Sequence, residues 1–177
     1  MNKRKLAILL LTAALALPNL LAAKTTVTLK GVHLCCKGCV NGVVKAAKAA
    51  GAIASVQSQK KLVTIEATDD ATAKKAVSAL ANAGYYGKSS NAAISIGLGV
   101  TDATVNTATV SGVHLCCGKC VRAVDKAVKS LKGASGHTAE KKSASFKVTG
   151  NFSLKALVEA LHENGLHGQI SEVAAVK

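Results

Sequence analysis

The strongest constraint in this sequence is a repeated cysteine loop. Gly31 to Val40 reads GVHLCCKGCV, and Gly112 to Val121 reads GVHLCCGKCV. All six cysteines of the 177-residue chain lie in these two segments. Because three cysteines in one loop cannot all pair locally, a simple disulfide scaffold is disfavoured, although oxidised pairs remain an alternative.

The repetition continues beyond the loops at a constant spacing of 81 residues. The same spacing pairs Lys60 with Lys141, Gly84 with Gly165, and Gly87 with Gly168. A register held over this distance indicates that a whole structural unit is duplicated. Each copy spans about 65 to 75 residues, which is small but within the range of domains that fold alone.

Within each copy, strand-like alternation and helical periodicity succeed one another. In the first copy we predict strands at 25–32, 53–58 and 62–66, helices at about 40–47 and 70–83, and a last strand near Tyr86. In the second copy we predict strands at 103–113, 135–140 and 143–149, helices at about 121–131 and 153–164, and a last strand near His167. This order is that of the ferredoxin-like βαββαβ unit. The expected fold class is therefore α+β, with two tandem ferredoxin-like domains after a signal peptide.

Several residues carry local expectations. One face of the first helix should be buried, formed by Val40, Val43, Val44 and Ala47. Ser153 is a predicted N-cap, and Gly84 and Gly165 are predicted C-cap glycines. His162 is expected on the surface, as is His137.

The N-terminus has the pattern of a secretory signal peptide, residues 1–23. Lys3, Arg4 and Lys5 precede an apolar run at 6–17, which is too short for a comfortable membrane span. We therefore expect a secreted, periplasmic protein, with an uncleaved N-terminal anchor as the alternative. The predicted division is a signal peptide at 1–23, one domain at 24–91, a linker at 92–102 and a second domain at 103–177.

The chain is strongly basic, with 23 Lys and Arg against 9 Asp and Glu. Such a charge can indicate a nucleic-acid partner. Export would remove the protein from nucleic acid, so we expect no such partner. A solvated basic face, or one that meets anionic surfaces or acidic proteins, fits better.

Each loop contains a CxxC pair at the start of a predicted helix, Cys36 with Cys39 and Cys117 with Cys120. A helix N-terminus stabilises a thiolate, and two converging thiolates select soft or borderline metal ions. Cys35 and Cys116 offer a possible third sulfur at each site. His33 and His114 are further ligand candidates, although a histidine with a structural role is the simpler interpretation.

These features resemble the heavy-metal-associated domain of copper chaperones and metal-transporting P-type ATPases, and the resemblance covers both copies. That family has the βαββαβ order and a GMxCxxC motif between the first strand and helix. It often has Gly-Tyr before the last strand, as at Gly84-Tyr85. With an export signal, the chain is also similar to periplasmic mercury-binding proteins. The resemblance places Cys36, Cys39, Cys117 and Cys120 at the metal-binding positions, and puts Leu34 and Leu115 where the family has its methionine.

The resemblance implies a protein that sequesters or delivers a soft metal ion, one per domain, from loops at an exposed edge. Cu(I) or Hg(II) is the ion that the ordinary motif implies. The extra cysteine in each loop would also suit Zn(II), Cd(II) or three-coordinate Cu(I). A membrane metal transporter or another metal-binding protein is the expected partner, and the protein itself is expected to be soluble after signal cleavage.

Two other functions remain open. A CxxC pair at a helix start is also typical of thiol–disulfide redox proteins. The only proline is Pro18, however, so the mature chain lacks the proline that thioredoxin-like proteins place opposite their active pair. A module whose metal serves only structure or docking is the second alternative. We find no acid–base pair, nucleophile triad or phosphate loop in the sequence, and so predict no enzyme activity.

Overall fold

A computed structural model describes residues 23–175 of the chain. Within them the protein is α+β, with four α-helices and two four-stranded antiparallel sheets. The first half contains β1 (Thr25–Lys30), α1 (Lys37–Ala49), β2 (Ile53–Gln57), β3 (Leu62–Ala67), α2 (Asp70–Asn82) and β4 (Lys88–Ser89). The second half contains β5 (Thr104–Ser111), α3 (Gly118–Lys129), β6 (Ala134–His137), β7 (Ser145–Ser153), α4 (Leu154–Glu163) and β8 (Gln169–Ala175).

The two sheets share one strand order, β2-β3-β1-β4 in the first and β6-β7-β5-β8 in the second. In the first sheet, Val27 lies opposite Ile65, and all of the side chain of each is buried. In the second sheet, Val110 lies opposite Phe146 in the same way. Burial alternates along these central strands because successive side chains point to opposite faces and the helices cover only one face.

The two halves are compatible with two ferredoxin-like domains, and the predicted α+β class is confirmed. The last strands differ most between the copies. β4 has two residues, whereas β8 has seven. β6 is shorter than predicted and ends at His137, and β7 extends to Ser153.

Helix ends follow the local sequence. The Ser153 side chain accepts a hydrogen bond from the backbone N–H of Ala156, 3.1 Å away, and so caps α4 as predicted. Asp69 caps α2 in the same way through the N–H of Thr72, at 2.7 Å. Gly84 follows the end of α2 with a φ of 88°, which is the left-handed conformation expected after a helix.

The predicted apolar face of α1 is wrong at one position. Val43 and Ala47 are fully buried, but Val44 is 40% exposed. The buried stripe of α1 runs through Cys39, Val43 and Ala47, which recur every four residues and therefore share one narrow line on the helix.

Buried side chains from both halves form one continuous apolar cluster. Residues 92–102 between the halves contain no helix or strand, and Ile94 in this stretch is buried against the cluster. Apart from Ala23, the predicted signal peptide lies outside the described residues.

Candidate metal centre

The two cysteine loops occupy equivalent places in the two halves, between β1 and α1 and between β5 and α3. Each loop leaves its strand through a glycine in the left-handed region, Gly31 with φ 84° and Gly112 with φ 76°. Each then enters its helix through an extended cysteine, Cys36 or Cys117, which is the N-cap residue. The unpaired N–H groups of both helix N-termini therefore lie at the cysteines.

The segments that follow α2 and α4 join the halves. Tyr85 and Leu166 form an antiparallel β-bridge, and these residues occupy the same position in the two copies. The N–H of Tyr86 donates to the carbonyl of Gly165 at 3.1 Å, and the N–H of His167 donates to the carbonyl of Gly84 at 3.1 Å. These two bonds are equivalent under the repeat, so the halves are related by an approximate twofold axis.

Two positions in this interface, Gly84 and Gly165, require glycine. A Cβ on Gly84 would lie 2.1 Å from the backbone nitrogen of His114. A Cβ on Gly165 would lie 2.4 Å from the backbone nitrogen of His33. Both glycines also have positive φ, at 88° and 73°. The glycines predicted as helix C-caps thus have a second role, because they allow the backbone at the start of each cysteine loop to approach the other half.

This interface brings all six cysteines into one cluster, and none of them is in a disulfide. Contacts within one loop include Cys36 to Cys39 at 3.7 Å and Cys117 to Cys120 at 3.9 Å between Sγ atoms. Contacts between loops are equally close. Their Sγ distances are 3.6 Å for Cys35–Cys117, 3.6 Å for Cys35–Cys120, 3.5 Å for Cys36–Cys116, 3.6 Å for Cys39–Cys116 and 4.0 Å for Cys39–Cys120.

Several groups of three ligand atoms in this cluster could hold a metal ion. In each group the three atoms lie within 4.8 Å of one another. The groups are Cys35–Cys36–Cys117, Cys36–Cys39–Cys116, Cys116–Cys117–Cys120 and His33–Cys35–Cys120. Only the third draws all of its ligands from one loop, so most of the candidate groups exist only because the halves meet.

Burial differs among the six thiols. Cys39 and Cys120 are completely buried, and the other four are partly buried. The expectation of two separate loops at an exposed edge is therefore wrong, since each loop is covered by the other half. Leu34 and Leu115, which precede the clustered cysteines in the two loops, are also buried.

The thiols have very different acidities. The backbone N–H of Cys39 at the start of α1 lowers the pKa of Cys36 to about 7. Burial raises the pKa of Cys116 to about 12 and also raises the pKa of Cys35. The contact with Cys120, together with burial, raises the pKa of Cys39, and the same contact lowers the pKa of Cys120. Several sulfurs therefore keep their protons until a cation compensates for the charge of the thiolates.

Three buried polar atoms beside the sulfurs have no hydrogen-bond partner within residues 23–175. They are Nε2 of His33, Nε2 of His114 and the hydroxyl oxygen of Tyr85. A ring nitrogen of His33 lies within 4.8 Å of the Cys35 and Cys120 sulfurs, and the ring of Tyr85 stacks on His114 at 4.7 Å. Because unsatisfied buried polar groups are rare, these atoms are candidates to contact a ligand bound at the site.

The cluster is reached from solvent through a cleft of about 530 Å³. Cys35 and Cys36 lie on its wall, and Lys37 and Lys119 come from the first turns of α1 and α3. The two ammonium groups and the helix N-termini make the entrance positive, which favours thiolates at the cluster.

Sequence reasoning identified the cysteines but missed the aromatic residues between the halves. His162 was expected on the surface, yet it is only 8% exposed, and its ring stacks on Tyr86 at 3.7 Å. His167 lies against it, with 3.0 Å between Nε2 of His162 and Nδ1 of His167. Tyr86 and His167 occupy equivalent positions of the repeat, and both face the other half. An aromatic ring at the same position in both copies was the sequence feature that could have indicated this contact. His137, also expected on the surface, is partly buried beside Asp125.

Among the helices of residues 23–175, none has the length and apolar character needed to cross a membrane. Comparison of the chain with protein-family models, with curated proteins and with solved structures gives no match.

Proposed function

We propose that this protein binds soft metal ions in one centre that its two cysteine loops share, and that it sequesters or delivers them. The observation that carries the proposal is the meeting of all six thiols, with sulfurs of opposite loops 3.5 to 4.0 Å apart. Thiolate sulfur prefers Cu(I), Zn(II) and their heavier relatives over hard cations.

The proposal includes membership of the heavy-metal-associated domain family, in two ferredoxin-like copies. The CCxxC loops between strand and helix, the Gly84-Tyr85 pair and the shared strand order of the two sheets support it. The signal-like residues 1–23 support export to the periplasm. Cu(I) is the proposed cargo, with Zn(II), Cd(II) and Hg(II) as competitors. A metal transporter or a second metal-binding protein would receive it, and no enzyme activity is proposed.

The test compares the reduced protein with a variant in which Cys36, Cys39, Cys117 and Cys120 are all changed to serine. Each is titrated without oxygen with Cu(I), Zn(II) and Hg(II) against a chromophoric competitor. We expect the wild-type chain to take the metal from the competitor. We expect the metal affinity of the variant to be lower by a large factor. Equal weak binding by both proteins would overturn the proposal.

One observation favours a second candidate, a thiol–disulfide redox protein. Cys36 starts a helix, its pKa is lowered to about 7, and its sulfur lies 3.7 Å from that of Cys39. A redox protein would oxidise this pair from dithiol to disulfide while it reduces a disulfide substrate to two thiols, and it would need no metal for this. Reduction of insulin by the metal-free protein, lost in Cys36→Ser, would favour this candidate over metal binding.

A further inference from the structure

The six sulfurs are arranged as the corners of one octahedron. Nine pairs of sulfurs are in direct contact, at 3.5 to 4.0 Å. Three more pairs lie within 4.8 Å, namely Cys35–Cys36, Cys36–Cys117 and Cys116–Cys117. These twelve pairs are the twelve edges of an octahedron. The opposite corners are then Cys35 and Cys116, Cys36 and Cys120, and Cys39 and Cys117.

Any four corners of an octahedron include at least one opposite pair. No four of these sulfurs are therefore all neighbours, and a tetrahedral four-thiolate site of the kind that structural zinc takes does not fit the arrangement. Every triangular face, by contrast, has three neighbouring sulfurs. An ion centred in a face whose three edges are 3.5 to 4.0 Å, such as Cys36–Cys39–Cys116, would lie about 2.0 to 2.3 Å from each sulfur, which approaches a metal–thiolate bond of about 2.3 Å. The faces that include Cys35–Cys36, Cys36–Cys117 or Cys116–Cys117 are wider, and their sulfurs lie within 4.8 Å of one another.

The eight faces divide into two sets of four alternate faces. One set consists of Cys35–Cys36–Cys117, Cys36–Cys39–Cys116, Cys116–Cys117–Cys120 and Cys35–Cys39–Cys120. In either set each sulfur belongs to two faces. Four ions on such a set would each have three thiolates, and each thiolate would bridge two ions.

From this geometry we infer that the six cysteines hold four Cu(I) ions as a single thiolate-bridged cluster. The inference rests on the proposed metal-binding function and names its cargo and stoichiometry. Cu(I) is the soft ion that accepts three sulfur ligands and carries a single charge. Six thiols lose six protons when four Cu(I) ions bind, and no electron is transferred. The resulting centre has two net negative charges, whereas four Zn(II) ions would make it positive beside Lys37 and Lys119.

The surroundings suit a compact anionic cluster. The N-termini of α1 and α3 meet at it, and both lysines lie at its entrance. The unpartnered Nε2 atoms of His33 and His114 and the Tyr85 hydroxyl are buried beside the sulfurs. A ring nitrogen of His33 lies near the Cys35 and Cys120 sulfurs, and can donate a hydrogen bond to a bridging thiolate there.

The experiment loads the full reduced chain with Cu(I), supplied without oxygen as its acetonitrile complex, and measures native mass spectra and copper X-ray absorption. At half saturation we expect chains with no copper and chains with four copper ions to dominate. We expect about three sulfur neighbours per copper, and a copper–copper distance shorter than the 3.5 Å sulfur contact.

Two copper ions per chain without a copper–copper distance would overturn the cluster and leave the metal-binding function standing. No binding of Cu(I), Zn(II) or Hg(II) would overturn both.

The double variant Cys35→Ser with Cys116→Ser removes two opposite corners, and we expect it to hold at most half the copper and to lose the copper–copper signal. Ser58→Ala, in the wall of the same cleft, is the matched control and should keep four ions. Four ions with the copper–copper signal in the double variant would contradict the inference.

Discussion

Cys39 and Cys120, which are equivalent residues of the two repeats, have their sulfurs 4.0 Å apart, and both side chains are fully buried. The contact makes the duplication itself part of the candidate site, because each copy supplies three of the six clustered cysteines.

The close approach of the halves should depend on Gly84. We expect Gly84→Ala to lower the free energy of unfolding by about 2 to 4 kcal/mol, because its φ is positive and its Cβ would meet the backbone of the second loop. Gly97→Ala is the control, since nothing lies within 4 Å of a Cβ there. Urea unfolding of the metal-free proteins measures both. Equal stability of the two variants would show that the interface is not formed in solution.

The reactivity of the thiols should follow their environment. At pH 7 about half of the Cys36 side chains should be thiolate, whereas Cys116, with its pKa raised to about 12, should stay protonated. Both residues are partly buried, so access alone does not separate them. We expect iodoacetamide to modify Cys36 at least about tenfold faster than Cys116 in metal-free protein. Peptide mapping of briefly treated samples measures the ratio, and equal rates would contradict the described loop geometry.

The buried hydroxyl of Tyr85 should lower the stability of the metal-free protein. Its oxygen has no hydrogen-bond partner within the described part of the chain. Tyr85→Phe should therefore stabilise the metal-free chain by about 1 kcal/mol, since it removes an unsatisfied polar group and keeps the ring. Tyr86→Phe, at a partly exposed position, should change stability little. A loss of stability in Tyr85→Phe would mean that the hydroxyl already has a partner without metal.

Stability should fall in mild acid because of His162. Burial lowers the pKa of His162 to about 4, from the ordinary histidine value of 6.5. Between pH 6.5 and 4, the unfolded chain therefore binds a proton at this residue that the folded chain does not bind. The free energy of unfolding decreases as the pH falls through this range. The loss from this residue should reach at most about 3 kcal/mol.

Urea unfolding of the metal-free protein at pH 7 and pH 5 tests this expectation. His162→Phe preserves the aromatic stack on Tyr86 and should show a clearly smaller difference between the two pH values. His167, whose pKa burial also lowers, accounts for a remaining part. An unchanged difference in His162→Phe would assign the acid sensitivity to other groups.

Much of the fold could be predicted from sequence because it is encoded locally. The spacing of 81 residues indicated two units, the alternation of Val27 and Leu29 indicated a strand with one buried face, and Ser153 marked a helix start. Val44 was misassigned because a helical period alone does not say how wide a stripe its neighbours cover.

The arrangement of the two halves could not be predicted in this way. Gly84 and Gly165 have the pattern of helix C-caps, and nothing local shows that their missing side chains also admit the other half. His162 was expected on the surface, but the ring of Tyr86, from the other copy, stacks on it. The sequence shows the six cysteines as two groups of three. Only the packing of the two halves brings them into one cluster.

The most direct test of a shared centre is to add less Cu(I) than the reduced protein can bind, alkylate the free thiols at once, and weigh the intact chains. A shared centre predicts two populations, chains with all six thiols protected and chains with all six alkylated. Chains with three thiols protected and three alkylated would show that each loop binds metal alone, and would contradict the account.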